Sequence, residues 1–159
     1  MKLTLSRRMA LLTAVLALLL VTGSTELGLR LSERARLDDL ESESVDLATT
    51  LAEDLSRIAP TGEPSALLVG LEGWSRRHIT ETTAIVFLVD NGALVPIAAS
   101  DSTVDVAPTS FDSEAFVEGR PISWFRDEAM PPSQEVAVPL GGRLPYGVLH
   151  IRVSTGRLT

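Results

Sequence analysis

The 159-residue sequence predicts an α+β fold: a long N-terminal helix, then a five-stranded antiparallel sheet with short helices. Three observations carry that prediction. Leucines recur at helical steps between Glu26 and Ile58. At Thr83 the pattern switches to a β-branched run that closes on Asn91-Gly92, the strongest short hairpin signal. Alternating apolar positions return at Val136, Val138 and Leu140, and again at Leu149, Ile151 and Val153. Helices gathered first and antiparallel strands after them define α+β rather than alternating α/β.

The chain opens on Lys2, Arg7 and Arg8, followed by the uncharged apolar run Met9 to Val21; the first acid is Glu26. Basic before and acidic after places cytoplasm before and exterior after. Residues 1–8 are therefore expected as a cytoplasmic basic tail, 9–29 as a transmembrane helix and 30–159 as an extracytoplasmic domain. From Met9 to Gly23 a helix rises only about 22 Å against a hydrocarbon core of roughly 30 Å. That length also suits a cleaved signal peptide, with Thr22, Gly23 and Ser24 at the cleavage site. The uncleaved anchor is favoured because Leu27, Leu29 and Leu31 continue the pattern, and Arg7, Arg8 and Arg30 can snorkel.

The long helix is expected over about 26–58. Leu37, Leu40, Leu47, Leu51, Leu55 and Ile58 form its stripe, with Val45 and Ala48 on the shoulders. Pro60 and Gly62 end it. Such a stripe packs on its own domain or pairs two copies near the membrane, and a homodimer through the N-terminal helices is the expected assembly. A second helix is expected over Ser65–His78, capped by Ser65, with Leu67, Leu68, Leu71 and Trp74 as its face and Gly70 and Gly73 weakening it. Thr83–Val89 reads as a strand buried on both faces, and Ala93–Ala99 as its return, with Pro96 marking an edge or bulge. Ser110–Val117 is a short helix capped by Asp112 or Ser113, with Phe111 and Phe116 inward. Strands follow over Pro121–Phe125, Gln134–Leu140 and Tyr146–Ser154; the last puts Val148, His150, Arg152 and Ser154 on one face.

Composition narrows the function. The formal net charge is −7, and because the first 23 residues carry +3 the remainder stands at −10. Such a surface repels phosphate backbones, so nucleic acid is not an expected partner. With no cysteine there is no disulfide framework and no thiolate nucleophile or metal ligand. No Gly-x-Ser-x-Gly elbow is present, and no residue is expected to be catalytic. Asp101, Asp105, Asp112, Glu114 and Glu118 cluster between the second and third strands, where hard cations could find oxygen ligands. They lack EF-hand spacing, and a solvated acidic loop is the simpler reading; no metal site is expected.

A basic N-terminus, one membrane helix running into a long amphipathic helix, and a sheet carrying AIVFLVDNGALVPIAAS (Ala84–Ser100) and EVAVPLGGRLPYGVLHIRVS (Glu135–Ser154) resemble the sensor half of a bacterial membrane-bound sensor histidine kinase. The resemblance implies a PAS-like, Cache-like domain, in which the first segment is a central hairpin and the second the last two strands. It implies a two-component signalling role in the bacterial inner (cytoplasmic) membrane, with the sensor domain periplasmic. A second membrane helix and a kinase core would follow in such proteins, so this chain is expected to be a truncated frame or a sensor fragment. ATP and Mg belong only to that kinase half, and no cofactor is expected in this chain. The same input domain also precedes diguanylate cyclase and chemoreceptor modules. A secreted or anchored small-molecule binding protein is the alternative from another class.

Domains resembling this one often bind small carboxylates or other anions between sheet and covering loops. The candidate ligand-binding residues are Arg76, Arg77 and His78 at the end of the second helix, with His150 and Arg152 lining the same pocket. The simpler readings stand beside this one: cations in the last turn favour the negative end of a helix, and His150 with Arg152 belongs to a solvated strand face.

Overall fold

A computed structural model describes residues 5–76, 82–101, 107–129, 132–142 and 144–154, with the side chains of residues 5–30 and of Glu33 outside that description. In chain order the elements are α1 (Leu5–Ile58), α2 (Pro64–Ser75), β1 (Thr82–Asp90), β2 (Ala93–Ala99), α3 (Ser110–Glu118), β3 (Ile122–Arg126), β4 (Ser133–Leu140) and β5 (Gly147–Ser154). The predicted α+β class holds: all five strands join one antiparallel sheet in the order β2-β1-β5-β4-β3.

Met1–Asp39 and Leu40–Thr159 form two units. Helix begins at Leu5, shortly before the helix expected over 9–29, and α1 ends at Ile58, where the long helix is expected to end. The run Met9–Val21 falls among the side chains outside the description. Among the described residues no helix is long and apolar enough to cross a membrane.

The second unit is built on the sheet. One face receives the C-terminal part of α1 and all of α2. Ala48, Leu51, Ala52 and Leu55 of α1 and Leu67, Leu71 and Trp74 of α2 are buried in one cluster with Ala84, Val86, Val136, Val138, Leu140, Leu149 and Ile151 of the strands. Burying each leucine side chain stabilises the fold by about 1.5–3 kcal/mol. The buried stripe of α1 is rotated from the predicted one. Ile58 is 54% exposed, whereas Ala52 and Ala59 are buried, because small side chains let the helix lie close to the sheet. Gly70, predicted as a weakness of the second helix, has a packing reason. A Cβ there would stand 2.8 Å from Leu55 Cδ2, so its absence sets how near α2 comes to α1.

Local signals in the chain explain the element ends. Asn91 (φ 50°) and Gly92 (φ 82°) take the left-handed pair that a tight hairpin turn requires, joining β1 to β2. β2 is an edge strand, and its register slips opposite Val86 and Phe87, which pair with Ala98 and Pro96. Pro96 thus sits at an edge and beside a bulge, where its missing N–H does no harm. Pro64 occupies the first turn of α2 with Glu63 as N-cap, so the helix starts one residue before the predicted Ser65 cap and ends at Ser75. The hydroxyl of Tyr146 donates to the Ala59 carbonyl at 2.7 Å, and Gly141 N–H donates to Ser56 Oγ at 3.1 Å, tying the β4–β5 turn to the end of α1.

Candidate functional site

Strand alternation sends Val148, His150 and Arg152 of β5 to the sheet face opposite α1 and α2, and Ala137 and Glu135 of β4 to the same side. α3 closes that face. Its Ala115 packs with Ile122, Ala137 and Val148, and Leu94, Phe116 and Trp124 lie half-buried around them. A capping box fixes where α3 begins, with Thr109 rather than Asp112 or Ser113 as N-cap. Asp112 N–H donates to Thr109 Oγ1 at 3.3 Å, and Asp112 Oδ2 accepts from the Thr109 N–H at 2.6 Å and hydroxyl at 2.8 Å. With Oδ2 occupied, Asp112 turns Oδ1 toward the sheet.

There it meets His150. Nδ1 lies 2.9 Å from Asp112 Oδ1, and Nε2 lies 3.4 Å from Glu135 Oε2. The other Glu135 oxygen, Oε1, accepts from Arg152 Nε at 2.8 Å and from the Ser133 hydroxyl at 3.3 Å, with Arg126 Nη1 at 3.6 Å. Asp112 and Glu135 are fully buried and His150 is 3% exposed. The imidazole is framed by aromatic rings: Trp124 meets it edge-on at 5.3 Å, and Phe111 stacks on Trp124 at 4.4 Å. Phe111, expected to point inward, instead covers Trp124 from the partly exposed side.

The charges shape one another. Burial pushes the Glu135 carboxyl up, but His150 and Arg152, through hydrogen bonding and charge, outweigh it and bring it down to about 2. Burial alone would lower His150; Asp112 and then Glu135, by hydrogen bonding and by charge, raise it above its ordinary value.

The predicted site residues are divided. Arg76 caps the C-terminal end of α2 and is exposed. It lines an open cleft of about 300 Å³ with Leu68, Glu72, Ser75, Ala99 and Ser100, on the side of the sheet that carries α2. Arg77 and His78 lie outside the described residues. His150 and Arg152 are on the other face, so the structure does not bring them together with Arg76. The solvated strand face expected for His150 is overturned: α3 covers it, and both ring nitrogens face carboxylates of the chain itself. Among the acids grouped as a loop, Asp112 is buried and Glu114 and Glu118 are exposed, while Asp105 lies outside the description. Among the described residues no group of His, Asp and Glu is arranged to hold a metal ion. Asp112 and Glu135 were missed as members of a site. The available signals were the Thr109-x-x-Asp112 capping spacing and the position of Glu135 directly across from Arg152.

The sheet with its covering helices is similar in fold to a solved ligand-binding domain. The ligand-binding domain of the Pseudomonas aeruginosa PAO1 amino acid chemoreceptor PctC, solved in complex with GABA, matches with a TM-score of 0.55 at 13% identity. The match covers 77% of this chain and 56% of that one, so this chain spans little more than half of the PctC domain's length. A methyl-accepting chemotaxis protein X matches at a TM-score of 0.47 and 13% identity over 80% of this chain and 61% of that one, too loose a likeness to add to the first. At such identity the likeness is one of fold. No protein-family profile and no curated protein matches the sequence.

Proposed function

We propose that this chain is the extracytoplasmic sensing domain of a bacterial membrane-bound signalling protein, anchored in the cytoplasmic membrane through residues 9–29. The observation that carries the reading is the fold shared with the PctC ligand-binding domain. The apolar run between a basic tail and an acidic domain supports the orientation. A sensor histidine kinase and a chemoreceptor fit the fold equally well as the parent protein. Signalling would run through α1, paired in a homodimer, whose displacement against the sheet couples two states.

The cleft beside α2 is the proposed ligand position. Glu72 of α2 and Arg76, the cap that follows it, stand four residues apart and offer opposite charges to a small zwitterion, a class that includes the GABA bound by PctC. A fusion of alkaline phosphatase after Ser154 tests the placement: activity in an exporting host supports it, and an inactive, stable fusion overturns it. Calorimetric titration of the full chain in detergent with GABA and small amino acids as probes tests the ligand class. Saturable binding abolished in Arg76→Ala is the expected result, and no heat from any probe removes the cleft from the proposal.

A further inference from the structure

We propose that His150 is a proton-operated latch for α3: the doubly protonated ring ties Asp112 of α3 to Glu135 of β4, and loss of its proton frees the N-terminal end of α3 from the sheet. The argument is geometric. An ionised carboxylate only accepts hydrogen bonds, and a neutral imidazole has one donor and one acceptor nitrogen. His150 hydrogen-bonds Asp112 through Nδ1 at 2.9 Å and turns Nε2 toward Glu135 Oε2 at 3.4 Å, an ion-pair contact without a hydrogen bond, so only the imidazolium points a proton at both carboxylates. A neutral ring would aim a lone pair at one of two buried anions.

The other groups around the ring do not relieve that conflict. β1 offers the apolar Ile85, opposite His150 in register, and Phe87 beyond it; β3 offers Trp124. Arg152 of β5 and Arg126 of β3 reach Glu135 through Oε1. Among the described residues Glu135 Oε2 makes no hydrogen bond, so the His150 charge 3.4 Å away is what faces it. Of the three buried groups, Asp112 and Glu135 are carboxylates and His150 is the one cation when protonated; Arg152 and Arg126 reach Glu135 from partly exposed positions. Loss of the His150 proton leaves the buried carboxylates without a buried counter-charge, which a low-dielectric interior tolerates poorly. α3 is the element that yields. It has nine residues, too few to hold a helix without docking, whereas β4 and β5 are held by neighbours on both sides.

The latch is a property of this cluster and does not depend on the domain being a sensor. Its test is a pH titration of the full chain in detergent, following histidine ring nitrogens by NMR together with amide exchange corrected for intrinsic base catalysis. The chain has two histidines, and His78→Gln assigns the signals. The expected result is a His150 midpoint above 6.5. Protection of the α3 amides should fall across that midpoint by about tenfold or more, the scale of one lost hydrogen bond to a charged group. Protection in α2 stays constant. In Asp112→Asn, which keeps a capping oxygen, the midpoint drops. A neutral His150 at pH 6, α3 protection that stays flat through the titration, or equal loosening of α2 and α3 overturns the latch. If the variant does not fold, the wild-type titration alone decides.

Discussion

The two faces of the sheet are closed by opposite means. β4 and β5 deliver Val136, Val138, Leu149 and Ile151 to one side and Glu135, Ala137, Val148 and His150 to the other, simply by alternation. On the first side two helices bury leucines and alanines, and the gain is non-directional and grows with area. On the second a helix of nine residues is held over a small apolar cluster and a buried ion network. Such a network adds little net stability over an apolar filling of equal volume, but it demands one geometry, since each buried charge needs its partner. The apolar face therefore makes the domain stable, and the ionic face decides where α3 sits.

The sharpest way to break this division is to remove one partner. Glu135→Ala leaves Arg152 and His150 facing a buried gap, and should cost about 3–5 kcal/mol in urea unfolding. A loss below about 1 kcal/mol, the range of an exposed pair, would mean that water reaches the network. Leu149→Ala removes a fully buried side chain from the opposite face and should cost about 2–5 kcal/mol through lost burial and a cavity. The two variants should differ in where the damage appears: near-ultraviolet dichroism of the Trp124–Phe111 stack changes in the first and is retained in the second.

The apolar face was the legible one. Leucine spacing, β-branched runs and Asn91-Gly92 are local signals, and each appears in the fold close to where they point. Even there the rotation of α1 onto Ala52 and Ala59 was hidden, because alanines carry no pattern that separates a buried position from a surface one. The ionic face was not legible, since its meaning lies in pairings 17 and 38 residues apart in the chain. His150 and Arg152 alternate as a solvated strand would. Only the docking of α3 turns that polar face inward, and no local propensity records it. The capping box at Thr109 and Asp112 was the single local clue.

The contrast also predicts how pH acts. Glu135 is lowered from its usual 4.5 to about 2, so its contribution is present above 4.5 and lost as pH falls toward 2. His150 is raised above 6.5, so its contribution is present below 6.5 and lost as pH rises through its folded value. Stability from the ionic face is therefore greatest between about 4.5 and 6.5. Leu149→Ala should lower a plot of stability against pH without changing its shape, whereas Asp112→Asn should flatten its alkaline limb. Parallel curves for both variants would show that the ionic face is not the source of the pH dependence.

The smallest expected effect is the most discriminating about position. Thr109→Ala removes the hydroxyl that accepts from Asp112 N–H and donates to Oδ2, and as an N-cap loss it should cost about 1 kcal/mol. The Thr109 N–H still donates to Oδ2, so Asp112 keeps one of its two local anchors. If the cap only stabilises α3, Thr109→Ser restores the loss and the His150 midpoint is the same in both variants. If the cap also aims Oδ1, the alanine variant lets Asp112 swing away from Nδ1, and the midpoint falls along with the stability. We expect the second outcome, because a helix that begins on a single N–H has a looser first turn, and the 2.9 Å contact to His150 is made from that turn.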